Sequence, residues 1–131
     1  MSATPQIRPA TEADLPRITA IYSHHVLHGT GTFETEPPTL DQMRQRLQEA
    51  GGQGLGTLLL GELIRQAEAL GIRKLIAVIG DSHNQASRGL HRRHGFIEAG
   101  IIRNCGWKHG RWLDIVMVER VLGAGAETLP E

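Results

Sequence analysis

The chain has 131 residues, enough for one domain built round one hydrophobic core. Its 14 basic and 14 acidic residues cancel, so no net charge draws it to nucleic acid or to an anionic membrane. No apolar run approaches the roughly eighteen residues of a membrane span, and Met1 to Pro5 lacks the apolar segment of a signal peptide. Cys105 is the single cysteine, which excludes an internal disulfide and makes a reducing cytoplasm the expected setting.

In chain order, Gln6-Ile7-Arg8 reads as a short first strand, and Thr11-Glu12-Ala13-Asp14 carries helix-start chemistry. Leu15, Ile18, Ile21, Tyr22 and Val26 recur at helical spacing, with Pro16 tolerable in the first turn. Gly29 to Pro38 is a loop. Thr39-x-x-Gln42 is a capping box for a second helix that presents Leu40, Met43 and Leu47 on one face. Gly51-Gly52-Gln53-Gly54-Leu55-Gly56-Thr57 then runs into an amphipathic helix from Leu58 to Leu70, closed by Gly71. Lys74 to Ile79 is short and apolar, the pattern of a strand buried on both faces. A helix from about Asn84 to His94 stops at Gly95. Phe96-Ile97 opens a strand towards Ile102, and Trp112 to Val121 is another, joined through a turn region at Gly106 to Gly110. Gly123 to Glu131 reads as a mobile tail, which leaves one domain over residues 1–122.

Glycines at a helix start free the backbone to approach a ligand, and unpaired N–H groups there suit a phosphate. Three loops are possible. A Walker A loop needs Lys-Ser/Thr after its last glycine, but Thr57-Leu58 follows Gly56. A dinucleotide fingerprint lacks the acidic residue that would hold a ribose. The third is a coenzyme A loop, Gln/Arg-x-x-Gly-x-Gly/Ala; Gln53-Gly54-Leu55-Gly56 is similar to its second half, with Gly51 where its first Gln/Arg belongs.

Longer matches carry a narrower resemblance. His24 to Pro38, Ala77 to Phe96, and Gly106-Trp107-Lys108-His109-Gly110-Arg111-Trp112-Leu113-Asp114 resemble segments of the GNAT-family phosphinothricin and methionine sulfoximine N-acetyltransferases. The resemblance implies an α/β fold, a mixed twisted GNAT sheet flanked by helices. It implies an acetyl-CoA-dependent transfer of acetyl to the amine of a small amino-acid-like acceptor, in a homodimer. Gly52, Gln53, Gly54, Leu55, Gly56 and Thr57 would hold the pyrophosphate, and Asn84 the pantetheine arm. Phe33 and Glu34 would face the acceptor. His91 falls where many relatives keep a tyrosine proton donor, and its ordinary pKa of about 6.5 suits either direction of proton transfer.

Each role has a plainer alternative. Asn84 is a good helix N-cap, His91 a packing or surface histidine, and Phe33 a core residue. His24 and His28 stand four apart on a helix but have no third ligand nearby, so no metal is expected. Arg73, Lys74, Arg88, Arg92 and Arg93 form either a basic patch for the nucleotide 3′-phosphate or a solvated face. The aromatic and basic residues from Trp107 to Trp112 read as packing or a subunit interface rather than a nucleic-acid reader.

One feature breaks the pattern. A phosphate loop before a helix should follow a strand, yet Arg44 to Ala50 is the polar end of a helix. The resemblance implies three further strands there, carrying a general base, the acceptor carboxylate site and the pantetheine-binding backbone. Their absence marks an apparent internal gap near residues 47–51. It leaves the strand at Lys74 to Ile79 short of neighbours. The alternative to an active enzyme is therefore a catalytically silent remnant that binds coenzyme A or another chain.

Overall fold

The computed structural model of the chain describes residues 6–50 and 57–130. A short 3-10 turn at Glu12–Asp14 leads into helix α1, Leu15–His28. Asp14 accepts from the Thr11 N–H at 2.9 Å and takes the Arg8 guanidinium as a fork at 2.6 and 2.7 Å. Residues 6–8 are not a strand, contrary to expectation. The three described strands pair only with one another, and a segment without a ladder partner does not stay extended as a strand. Helix α2, Leu40–Ala50, starts on the expected capping box: Gln42 N–H donates to Thr39 Oγ1 at 3.1 Å and Thr39 N–H to Gln42 Oε1 at 2.9 Å. Leu15, Val26 and Met43 are the buried apolar residues of this helical pair.

Helix α3, Thr57–Ala69, ends as its sequence predicts. Gly71 takes φ +77°, and Ile72 N–H donates to the Ala67 carbonyl. Helix α4, Gln85–Arg93, is closed by Gly95 at φ +84°.

Strands β1 (Lys74–Ile79), β2 (Ile97–Lys108) and β3 (Arg111–Val121) form one sheet in the order β1-β3-β2. Both pairings are antiparallel, so among the described residues the expected mixed sheet is not seen. A parallel pair would need a strand ahead of α3, and α2 occupies that place in the chain. The hairpin turn is only His109 and Gly110, with φ of 51° and 74°, a pair of left-handed residues that matches strand twist. Gly106 is therefore not part of the turn. It sits in β2 opposite Leu113, and a Cβ there would lie 2.6 Å from the Phe33 ring.

Alternation divides the sheet into two unlike faces. On one, Ile79, Val116 and Val118 pack with Ile64 and Ala67 of α3 and with Phe96 and Leu122. On the other, Phe33 covers the Gly106 end, while Ile76, Val78, Ile97, Ile102 and Val121 are half exposed or more. The expectation that β1 is buried on both faces is thus overturned: Ile76 is 67% exposed. Apolar content predicts burial, but among the described residues helix α3 packs on the face of Ile79 alone. The predicted tail carries an anchor. Arg73 donates to the carbonyls of Gly125, Thr128 and Leu129 at 2.7–3.1 Å.

Candidate functional site

The loop after α1 is pinned residue by residue. Thr30 hydroxyl donates to Asp81, just beyond the end of β1. Gly31 lies so close to Gly80 that a Cβ on Gly80 would be 2.9 Å from its carbonyl oxygen. The Thr32 carbonyl accepts from Lys108 Nζ at 2.9 Å, and Phe33 packs on the bare Cα of Gly106. Glu34 accepts from the Tyr22 hydroxyl and from Arg46, whose Nη2 and Nη1 lie 2.6 and 3.2 Å from its two oxygens. Gly31, Thr32, Phe33 and Glu34 then wall a cleft of about 340 Å³, completed by Val78, Gly80 and Ile115. Sheet and loop thus hold this wall in one geometry, which is what a binding site requires.

The charges are fixed too. The Arg46 and Tyr22 hydrogen bonds hold the Glu34 carboxyl below its ordinary value, so it is an anion at neutral pH. Burial pushes the Asp81 carboxyl up, but bonds from Thr30, the His83 N–H and Arg111 outweigh it and leave it below its ordinary value. Lys108 is 2% exposed. Burial pushes its ammonium down, against the pull of Glu34.

Of the residues singled out from sequence, Phe33 and Glu34 come together in this cleft. Asn84 and His91 are not among its lining residues. The Asn84 side chain accepts from Ser87 N–H at 3.1 Å as the N-cap of α4; its amide donors have no partner among the described residues. His91 Nδ1 meets the Ser87 carbonyl at 2.8 Å, and its ring stands edge-on to Phe96 at 5.2 Å. That bond requires the proton on Nδ1, and Nε2 has no partner among the described residues. Gly52, Gln53, Gly54, Leu55 and Gly56 lie outside the described residues, as does part of the stretch 47–51; Thr57 is the first residue of α3.

Sequence reasoning missed Thr30, Tyr22, Arg46, Asp81, Lys108 and Arg111. Asp81 carried a usable signal, since ligands in α/β sheets gather beyond strand ends. Lys108 carried none, because alternation assigns a face but not its depth. The basic patch is largely engaged: Arg88 forks onto Glu98 at 2.8 and 2.9 Å, Lys74 reaches Glu119, and Arg73 holds the tail. The His24 and His28 rings lie 4.9 Å apart and tilted by 48°, and no metal-binding cluster occurs among the described residues.

The pattern of the Acetyltransferase (GNAT) family matches residues 47–96. A phosphinothricin N-acetyltransferase of Alcaligenes faecalis is 38% identical over 170 residues, covering 95% of this chain and 86% of the relative. An L-methionine sulfoximine/L-methionine sulfone acetyltransferase of Pseudomonas aeruginosa is 47% identical over 68 residues, covering 52% of this chain and 39% of that protein. The crystal structure of a phosphinothricin acetyltransferase from Sinorhizobium meliloti, solved with acetyl-CoA, is 34% identical and superposes with a TM-score of 0.84 over 95% of this chain and 91% of its own. The Alcaligenes alignment is longer than this whole chain, so some of that relative has no counterpart here.

Proposed function

Because this chain belongs to the GNAT acetyltransferase family, we propose that it acetylates the primary amine of a small amino-acid-like molecule of the phosphinothricin or methionine sulfoximine type, seated in the Gly31–Glu34 cleft. It is an acetyl-CoA-dependent N-acetyltransferase. The proposal concerns its acceptor and the residues that serve the reaction. The observation that carries it is the strapped wall whose anionic Glu34 faces a cleft of about 340 Å³, a volume suited to a small molecule.

The reaction forms a C–N bond, breaks a C–S bond and moves one proton from the amine to the departing thiolate. Glu34 is a poor base, since its carboxyl is held below the ordinary range. Its role is to draw the acceptor's amino end and orient it. His91, whose Nε2 has no partner among the described residues, is the proposed proton carrier. Acetyl-CoA supplies the activated acyl group. The residues present fit it: a helix N-terminus such as that of α3 presents first-turn N–H groups to an anion, and the Asn84 amide donors have no partner among the described residues. The amides of Gln53 to Gly56 would extend that cradle.

Purified protein with acetyl-CoA should release thiol on adding phosphinothricin or methionine sulfoximine. Glu34→Gln should raise the acceptor KM about tenfold with the acetyl-CoA KM unchanged. Absence of thiol release with every amine tried overturns the reading in favour of a silent remnant.

A homodimer is the proposed assembly. The open sheet face carries five β-branched side chains at half exposure or more, beyond what monomers usually leave uncovered. The Lys74–Glu119 ion pair on it, at 3.2 Å, gives two copies meeting about a two-fold axis equal numbers of opposite charges.

A further inference from the structure

One buried carboxylate ties the cleft wall to the helix beside it. Asp81 follows Gly80 beyond the end of β1 and is 4% exposed. Burying a carboxylate is costly unless it is paired and hydrogen-bonded, and here the donors come from three separate parts of the chain. Oδ1 accepts from the His83 N–H at 2.9 Å, and the Asp81 backbone carbonyl accepts from the Asn84 N–H at 3.0 Å. These two bonds shape the turn that delivers the N-cap of α4. Oδ2 instead accepts from the Thr30 hydroxyl of the loop after α1 and, at 2.8 Å, from Arg111 Nη2 of β3. A side chain serving the turn alone needs one oxygen, which asparagine or serine supplies without burying a charge. The second oxygen serves the loop that walls the cleft, at the point where Gly31 lies against Gly80.

We propose that Asp81 is a positioning residue for both substrates: Oδ2 fixes the Gly31–Glu34 wall through Thr30, while Oδ1 and the backbone carbonyl fix the turn that carries Asn84. It thereby sets the spacing between the acceptor and the pantetheine arm. This rests on the acceptor and co-substrate sites proposed above and adds the residue that holds one against the other. Ser82 Oγ donates to Asp114 at 2.9 Å, and the Ser82 carbonyl accepts from Arg88 of α4 at 2.8 Å, so the turn stays attached to sheet and helix when Asp81 is changed. Loss of the carboxylate therefore displaces the turn and the wall without unfolding them. A displacement of about 1 Å between reacting groups lowers turnover about hundredfold.

The test measures both KM values and kcat in wild type, Thr30→Val, Thr30→Ser and Asp81→Ala. Thr30→Val removes the wall bond alone, so it should raise the acceptor KM about tenfold and leave the acetyl-CoA KM unchanged; Thr30→Ser, which keeps the hydroxyl, should restore it. Asp81→Ala should raise both KM values and lower kcat about hundredfold. A merely structural role would lower kcat through loss of folded enzyme and move neither KM. An acceptor KM unchanged in Thr30→Val, or an acetyl-CoA KM unchanged in Asp81→Ala, overturns the proposal. If Asp81→Ala does not fold, Asp81→Asn decides. Its one side-chain oxygen keeps the His83 N–H but cannot also serve Thr30 and Arg111, so it should raise the acceptor KM alone; any other pattern overturns the proposal. Wild type that acetylates no amine defeats the acceptor reading itself. Calorimetric titration of phosphinothricin and of coenzyme A against the same variants then judges Asp81 separately, with affinities equal to those of wild type counting against it.

Discussion

The two faces of one sheet are made of nearly the same residue types and have opposite fates. Along β1, Leu75, Ala77 and Ile79 point to the side that α3 covers, whereas Ile76 and Val78 point to a side that no helix among the described residues covers beyond the Phe33 end. Across the strands the division continues, with Val116 and Val118 buried and Ile97 and Ile102 open. Apolar composition alone does not make a core. A second layer does, and here only one layer is supplied in full.

The sharpest way to break this contrast uses two isoleucines three residues apart. Ile79→Ala removes a side chain that is 3% exposed, and should cost about 2–5 kcal/mol in urea melts. Ile76→Thr removes one that is 67% exposed, and should stay within about 0.5 kcal/mol for the monomer. Equal losses would mean that the open face is covered in solution.

That outcome leads to the second test. If the open face joins two copies, the protein should sediment as a dimer at micromolar concentration, and Ile76→Lys with Ile102→Lys should convert it to a folded monomer. A lost interface of about 800 Å² per partner is enough to shift the equilibrium by orders of magnitude. A wild-type monomer whose melt is independent of concentration would remove the homodimer.

Much of the covered half was legible from residue order. The capping box at Thr39 and Gln42, the Gly71 and Gly95 helix ends and the extent of α4 follow from local chemistry, because each depends on neighbours within a few residues. The cleft was legible only at Phe33 and Glu34, through resemblance. Its supports come from Tyr22, Arg46, Asp81, Lys108 and Arg111, on elements separated by tens of residues, and no local rule brings such groups together. That α2 stands where a strand should precede a phosphate loop was legible as well, from the polar run Arg44 to Ala50. The depth of β1 was misread, because alternation cannot show that one of its two apolar faces lacks a cover.

The smallest expected effect separates two uses of one side chain on the covered half. Asn84 caps α4 through Oδ1, while its amide donors have no partner among the described residues. Asn84→Ala should destabilise the fold by about 1 kcal/mol, the usual cost of a lost N-cap. Asn84→Asp keeps an acceptor for Ser87 N–H and adds a charge that the helix N-terminus favours, so its stability should match wild type. It has no amide donors, however. If Asn84 holds the pantetheine arm, Asn84→Asp raises the acetyl-CoA KM with no loss of stability and no change in acceptor KM. If the acetyl-CoA KM stays put in the Asp variant while the Ala variant melts early, Asn84 is a cap alone, and α3 with its glycine-rich approach must hold the co-substrate without it.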